Sequence, residues 1–133
     1  MEIPKIYLKK TISQLKAIAV KHCNKYIRNR DFGKPCISCG KYTELQAGHF
    51  FSAGQFSALR FTENNIHGQC KKCNYFLSGN LLNYQKNLID RIGMDEFLKL
   101  EELKDIYKRS RYKWDRFSLI KVILKYKKLN ASK

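Results

Sequence analysis

The chain has 133 residues and a formal net charge of +16, from 27 Lys and Arg residues against 11 Asp and Glu residues. Its length predicts one domain, and hydrophobic and aromatic fractions of 44% and 13% are sufficient for a small folded core. No apolar run is long enough to cross a membrane, and the first five residues do not resemble a signal peptide. We therefore exclude an integral membrane protein and expect a cytoplasmic one.

The positive charge lies at the two ends of the chain. Residues 1–30 carry a net charge of +7 and residues 104–133 carry +9, whereas residues 31–103 hold eight basic and eight acidic residues. A surplus of this size favours nucleic acid as the partner, recognised by its phosphates and shape rather than by base edges. Binding to a membrane surface is the alternative, but no predicted helix is strongly amphipathic with an exposed apolar face.

The first predicted elements are a helix and a β-hairpin. Thr11 and Gln14 form a capping-box pattern, and apolar residues at helical spacing predict a basic helix over residues 11–30. Residues 46–51 and 59–62 have the composition of two short strands joined by a polar loop.

The rest of the chain is predicted to be helical. Apolar residues recur at helical spacing from Phe76 to Ile92, and Gly93 ends this helix. Two further basic helices are predicted at residues 95–109 and 114–128. The fold class is therefore α+β and mainly helical.

Four of the five cysteines form two matched C-x-x-C pairs, Cys36 with Cys39 and Cys70 with Cys73. In a reducing compartment such pairs indicate a metal more often than a disulfide. Four thiolates would fill the coordination sphere of Zn(II), so this zinc would be structural. Four unrelated buried cysteines or a redox dithiol are the alternatives, and each explains the repeated spacing less well. Cys23 has no partner motif and is predicted to be a buried helix residue.

Several short motifs around these cysteines resemble those of known nuclease families. They are Gln46-Ala47-Gly48-His49-Phe50, Leu59-Arg60-Phe61, Asn65-Ile66-His67-Gly68-Gln69-Cys70, Cys73-Asn74 and Leu77-Ser78-Gly79-Asn80. The chain is similar to the NinG/Rap recombination proteins of lambdoid phages and, more broadly, to the zinc-containing His-Me finger (HNH, ββα-metal) nucleases of the endonuclease VII type. The resemblance implies a treble-clef/ββα-metal nuclease core over residues 36–93. N-terminal and C-terminal basic helices, at 11–30 and 95–128, would flank this core within a single domain, 1–133.

The resemblance also implies roles for three polar residues. His49 would be the general base, since a neutral imidazole with a pKa of about 6.5 can accept a proton near pH 7. Asn65 would hydrogen-bond across the hairpin loop and so orient His49. Asn74 would offer its carbonyl oxygen to a catalytic Mg²⁺ or Mn²⁺.

One position departs from the family pattern. Many relatives place Asp before the catalytic His as a second metal ligand, and this chain has Gly48 there. Either Asn74 binds the ion with water and phosphate oxygens alone, or another side chain completes the site. His67 and Gln46 are the candidates.

Basic and polar residues supply the predicted DNA contacts. Arg60 is predicted to clamp the scissile phosphate, although a solvated hairpin arginine is the alternative. In the C-terminal part, Lys and Arg alternate with Tyr107, Tyr112 and Trp114, which either stack on bases or belong to the core. The predicted DNA-binding residues are Lys71, Lys72, Asn80, Lys108, Arg109, Arg111, Lys113 and Arg116.

The resulting hypothesis is a metal-dependent DNA endonuclease that acts on branched recombination intermediates such as Holliday junctions or D-loops. The enzyme would be a phosphodiester hydrolase with a structural zinc, working in the host cytoplasm. Symmetric cutting of two strands would favour a homodimer, and recombination proteins are possible partners. A non-catalytic zinc module that binds nucleic acid is the alternative.

Overall fold

The computed structural model describes residues 3–108 and 112–132, apart from the side chain of Lys108. These residues form five α-helices and one two-stranded sheet, which confirms the mainly helical α+β class. They divide into two compact units, one from Met1–Tyr26 with Lys113–Lys133 and one from Ile27–Tyr112. The single-domain organisation and the treble-clef core stay predictions.

The first unit contains α1 (Lys5–Leu8), the part of α2 (Ile12–Arg30) up to Tyr26, and α5 (Arg116–Ala131). The predicted capping box is confirmed, because the Thr11 N–H donates to Gln14 Oε1 at 2.9 Å and the Gln14 N–H donates to Thr11 Oγ1 at 3.1 Å. The buried side chains of this unit are Tyr7, Leu15, Ala19, Cys23, Leu119, Ile120, Ile123 and Tyr126. Cys23 is thus a buried helix residue, as predicted.

The second unit contains the sheet. Strand β1 (Gln46–His49) pairs antiparallel with β2 (Ile66–Gln69), and Gly48 lies opposite His67. The first predicted strand is correct, but the second was placed too early. Residues 59–62 lie instead in and after a short 3₁₀ turn, Ser57–Leu59, so Arg60 is not on a strand.

The segment after Cys70 is not one continuous helix. A π-helical turn, Lys72–Phe76, is followed by Ser78, Gly79 and Asn80 at positive φ, and only then does α3 (Leu81–Ile92) begin. Three apolar residues at the start of the predicted helix, Phe76, Leu77 and Leu81, are exposed.

Gly93 separates α3 from the next helix, α4 (Met94–Lys108). These two helices supply Tyr84, Leu88, Phe97 and Leu100 to the core of the unit, which also contains Ile37 and Leu59. Phe50, directly after β1, packs against this core, with its ring centroid 5.3 Å from that of Tyr84 and 5.9 Å from that of Phe97. No helix within residues 3–108 and 112–132 has the length and apolar character needed to cross a membrane.

Candidate nuclease site and metal centre

The four paired cysteines converge on one point. Their Sγ atoms all lie within 4.8 Å of one another, and those of Cys39 and Cys70 are 3.7 Å apart. Zn–S bonds of about 2.3 Å in a tetrahedron would separate the sulfurs by about 3.8 Å. The donor set and its spacing therefore fit a zinc ion, as the sequence predicted.

Backbone N–H groups surround the sulfur of Cys36 and favour its thiolate form, whereas burial raises the pKa values of the Cys39 and Cys73 thiols. Cys36 Sγ accepts from the N–H groups of Cys70 at 3.3 Å, Ser38 at 3.4 Å and Cys39 at 3.5 Å. Burial raises the pKa of the Cys36 thiol, but these donors outweigh it and lower the pKa to about 7. The fold thus favours the thiolate form of Cys36, which is the form that binds a metal ion.

His49, the last residue of β1, is held in one tautomer. Its Nε2 lies 2.9 Å from the carbonyl oxygen of Arg60. A carbonyl only accepts, so Nε2 carries the hydrogen and Nδ1 is left with its lone pair. Burial lowers the pKa of His49 below 6.5, and the Arg60 guanidinium lowers it further against the opposing effect of the Arg60 carbonyl. The imidazole is therefore neutral at pH 7 and can accept a proton.

Asn65 fixes the backbone that follows His49. The buried amide accepts from the Phe51 N–H at 2.8 Å and donates to the Phe51 carbonyl at 2.9 Å. It also donates to the Leu59 carbonyl at 3.3 Å. These bonds join the two sides of the hairpin loop, which is the geometry expected for this residue; its part in catalysis stays a prediction.

Asn74 and Gln46 lie within hydrogen-bonding distance. Asn74 Nδ2 donates to Gln46 Oε1 at 2.9 Å, so the carbonyl oxygen of Asn74 is not used in this bond. Gln46 lines a groove of about 590 Å³ together with Cys39, Lys71 and Lys72. This groove therefore borders both the second C-x-x-C pair and the start of β1, and lysines lie on its wall.

The space beside Gly48 is filled by Gln69. A Cβ at position 48 would lie 2.0 Å from Gln69 Oε1 and 2.8 Å from Gln69 Cβ. Gln69 is fully buried, and its Nε2 donates to Ser38 Oγ at 2.9 Å and to the Gly79 carbonyl at 2.6 Å. Sequence reasoning missed this role of Gln69, because its partners Ser38 and Gly79 lie elsewhere in the chain.

His67 belongs to a buried charged network rather than to the groove. Its Nε2 donates to the Asn64 carbonyl at 3.0 Å, and its Nδ1 lies 3.2 Å from Arg30 Nη2 and 3.4 Å from Arg91 Nη1. Both ring nitrogens are thus engaged within the fold, and metal ligation by His67, one of the two candidates, stays a prediction. The network also contains Asp31, another residue that sequence reasoning missed.

Asp31 ties the end of α2 to β2 and α3. It pairs with the Arg30 guanidinium at 2.8 Å and accepts from the Gly68 N–H at 2.7 Å. Arg91 Nη1 lies 3.6 Å from the same carboxylate. Burial opposes ionisation, but the hydrogen bonds from Arg30 and Gly68 lower the pKa of Asp31 to about 2.

Arg60 has a polar group without a partner among the described residues. Its backbone carbonyl holds His49, while its side-chain Nε is buried and makes no hydrogen bond to any of them. A buried donor without a partner is costly. The predicted phosphate contact by Arg60 stays a prediction.

Comparison with known proteins identifies the family. The family model described as "Bacteriophage Lambda NinG protein" matches residues 3–132. The chain belongs to the NinG family. The proteins named "Protein ninG" of Salmonella phage P22 and Escherichia phage lambda are 43% and 42% identical to it, each over 100 residues that cover 74% of this chain. The corresponding protein of Escherichia phage 933W is 43% identical over 93 residues, or 68% of this chain.

This NinG-family chain spans about half the length of those relatives, because the matched regions cover 48%, 48% and 44% of them respectively. No solved structure matches the chain. The NinG family is thus established from sequence similarity, on the basis of both the family model and the individual phage proteins.

The predicted DNA-binding residues of the NinG-family chain lie in different settings. Lys71, Lys72 and Lys113 are exposed. Asn80 Nδ2 lies 3.5 Å from Cys73 Sγ, at the cysteine cluster, and Arg116 Nη1 donates to the carbonyl oxygens of Tyr7 and Lys10. Arg109, Arg111 and the side chain of Lys108 lie outside the described residues. Lys71 and Lys72, on the groove wall, are therefore the best placed of the set.

Proposed function

We propose that this NinG-family chain is a metal-dependent DNA endonuclease of the His-Me finger (HNH) type that hydrolyses a phosphodiester bond. One observation carries the proposal: the Arg60 carbonyl fixes Nε2 of a neutral His49 imidazole, so that Nδ1, which makes no hydrogen bond to the described residues, can act as a base. The loop after it is pinned by Asn65, which gives the rigidity that a positioned base requires.

In the proposed reaction, His49 Nδ1 accepts a proton from a water molecule. The resulting hydroxide attacks phosphorus, the bond to the leaving oxygen breaks, and that oxygen takes a proton from solvent. The Arg60 guanidinium contacts a non-bridging phosphate oxygen, where negative charge develops. Lys71 and Lys72 hold the DNA backbone along the groove.

Asn74 is the proposed ligand of a catalytic Mg²⁺ or Mn²⁺, with Gln46 beside it. The carbonyl oxygens of these amides are ligands of the kind that hard cations prefer. A bound divalent ion would offset the charge that develops on the phosphate and on the leaving oxygen. The four-cysteine centre is proposed to hold a structural Zn(II), because four thiolates leave no open position for substrate.

The proposed substrate is branched DNA from recombination, such as a four-way junction or a D-loop. This part rests on the family resemblance and on the basic charge of the chain. A homodimer would allow two strands to be cut symmetrically. The host cytoplasm is the proposed location, since phage recombination takes place there.

Incubation of the purified protein with a labelled four-way junction and Mg²⁺ or Mn²⁺ tests the proposal. We expect wild type to cut the junction, and His49→Ala to cut it about 10²- to 10⁴-fold more slowly, which is the usual contribution of a general base. His22→Ala is the matched control, because only the backbone carbonyl of His22 makes a described hydrogen bond.

Three outcomes would contradict the proposal. No cutting with either metal would favour a non-catalytic zinc module, provided that junction binding is retained. Equal cutting by His49→Ala would remove His49 from the reaction. Equal cutting of linear duplex would remove the preference for branched DNA.

A further inference from the structure

A second cavity, of about 510 Å³, is lined by residues on either side of the first C-x-x-C pair, Cys36 with Cys39. Its lining includes Phe32, Tyr42 and Leu45 together with the basic residues Arg28 and Lys34. Thr43 and Glu44 line both this cavity and the groove beside the thiolates, so the two are neighbours. The candidate nuclease residues do not line this cavity, and it requires its own explanation.

The two aromatic rings of the cavity are displayed to solvent. Phe32 is 89% exposed and Tyr42 is 78% exposed. Leaving large rings in water forgoes the stabilisation that their burial would give. Exposed rings at a concave site are typical of surfaces that bind planar ligands.

Both rings extend from backbone that is firmly anchored. Phe32 follows Asp31, which is fully buried and bound to Arg30 and to the Gly68 N–H. Tyr42 follows Lys41, whose carbonyl accepts from the N–H of Cys36, the first cysteine of the C-x-x-C pair, at 2.9 Å. The rings therefore have little backbone entropy to lose on binding.

The charges around the rings favour an anionic partner. Arg28 and Lys34 are on the cavity lining, and Lys41, next to Tyr42, is exposed. Glu44 is the acidic member of the lining. Cations beside stacking surfaces are what single-stranded nucleic acid requires, because its phosphates and its unpaired bases are bound together.

We propose that this cavity binds the unpaired bases of a single DNA strand by stacking on Phe32 and Tyr42, with Arg28 and Lys34 contacting the phosphates. The inference rests on the proposed function in that DNA is taken as the partner. A branched intermediate exposes unpaired bases next to the duplex, and the shared rim at Thr43 and Glu44 allows such a strand to pass from the groove into the cavity.

Binding of a fluorescein-labelled dT12 oligonucleotide to the full chain, measured by anisotropy in a buffer without added Mg²⁺ or Mn²⁺, tests the proposal without cleavage. Chelators are left out of this buffer, so that zinc is not removed from the cysteine centre. We expect Phe32→Ala and Tyr42→Ala each to weaken dT12 binding about tenfold, in line with the loss of one stacked base. We expect Phe32→Trp to retain binding, since a larger ring replaces the first one.

Phe117→Ala is the matched control, because Phe117 is also an exposed ring, at 62%, and is not one of the residues that line the cavity. Equal dT12 affinities for wild type, Phe32→Ala and Tyr42→Ala would overturn the proposal. An equal loss for a blunt 12-base-pair duplex would also overturn it, since paired bases cannot stack on the rings. Tighter binding of a matching RNA strand would overturn the assignment to DNA.

These outcomes are independent of the nuclease proposal. If wild type cuts junctions and Phe32→Ala binds dT12 normally, the nuclease proposal stands and the stacking proposal fails. If no cutting occurs but both ring variants lose dT12 binding, the stacking proposal stands alone.

Discussion

Position 48 requires a glycine because the side chain of Gln69 occupies the space that a Cβ would need. The nearest approaches, 2.0 Å to Gln69 Oε1 and 2.8 Å to Gln69 Cβ, are both shorter than a non-bonded contact allows. Gln69 cannot simply turn away, because its Nε2 is bonded to Ser38 and to the Gly79 carbonyl. The missing acidic residue before His49 is therefore explained by packing in this chain.

We predict that Gly48→Ala destabilises the protein by about 1–3 kcal/mol, the usual cost of forcing an extra group into a packed interior. Urea denaturation followed by circular dichroism measures this difference. Gly54→Ala is the control, since no atom lies within 4 Å of its Cβ position, and it should unfold at nearly the wild-type midpoint. A Gly48→Ala midpoint equal to that of Gly54→Ala would show that Gln69 moves aside freely.

The residues of the proposed chemistry could be identified from the sequence, whereas the buried polar residues that hold them in place could not. Cys36, His49 and Asn74 stand in motifs whose spacing reflects their chemistry. Gln69 and Asp31 act through neighbours far along the chain, so no local pattern distinguishes them. Burial of a polar side chain depends on tertiary packing, which a single sequence does not display.

At the scale of elements, helices with strong local signals were predicted to within a few residues. The helix predicted at residues 11–30 is Ile12–Arg30, and the one predicted at 95–109 is Met94–Lys108. The capping box and the apolar spacing are local properties, so they survive in the tertiary structure.

The second strand was predicted too early because the side chains of a turn alternate in burial. Leu59 and Phe61 are buried and Arg60 between them is half-buried, and the same alternation is expected for a strand. The true strand, Ile66–Gln69, is buried at all four positions and contains a glycine, so it shows neither alternation nor a run of β-formers.

The contact between α2, β2 and α3 should make stability depend on pH. Burial lowers the pKa of His67 to about 4, with the guanidinium groups of Arg30 and Arg91 acting in the same direction. A group with a lowered folded-state pKa stabilises the fold in its deprotonated form, and this stability is lost as pH falls. The window therefore extends from about 6.5, the pKa in the unfolded chain, down to about 4.

We predict that the free energy of unfolding falls by up to about 3 kcal/mol between pH 6.5 and pH 4 because of His67. Below this window the protonation of Asp31, with its pKa of about 2, continues the decline. His67→Gln cannot titrate, so its stability should change much less between pH 6.5 and pH 4. Parallel curves for wild type and His67→Gln in urea titrations would contradict this account.

At the scale of the whole molecule, the cysteine centre joins segments that are distant in sequence. Cys36 and Cys39 precede the hairpin, and Cys70 and Cys73 follow it, so the metal would close the loop that contains both strands. A small unit with few buried apolar residues gains much of its stability from such a closure.

We predict that Cys70→Ser loses the bound zinc equivalent and lowers the melting temperature by more than about 10 °C. Elemental analysis and thermal unfolding by circular dichroism measure the two effects. Cys23→Ala, which removes a buried cysteine from α2 without touching the centre, should keep one zinc per chain. A full equivalent of zinc in Cys70→Ser would exclude Cys70 from the centre.

The position of the hairpin between the two cysteine pairs also fixes an order of events during synthesis. His49, Arg60 and Asn65 all leave the ribosome before Cys70 and Cys73, because they precede them in the chain. The nascent chain therefore carries the proposed base and its supporting amide while the loop is still open. Asn74 follows the last cysteine directly, so the proposed ligand for the catalytic ion is synthesised only after all four cysteines. A nascent chain therefore lacks the proposed ion ligand until its complete set of zinc-site cysteines has been made.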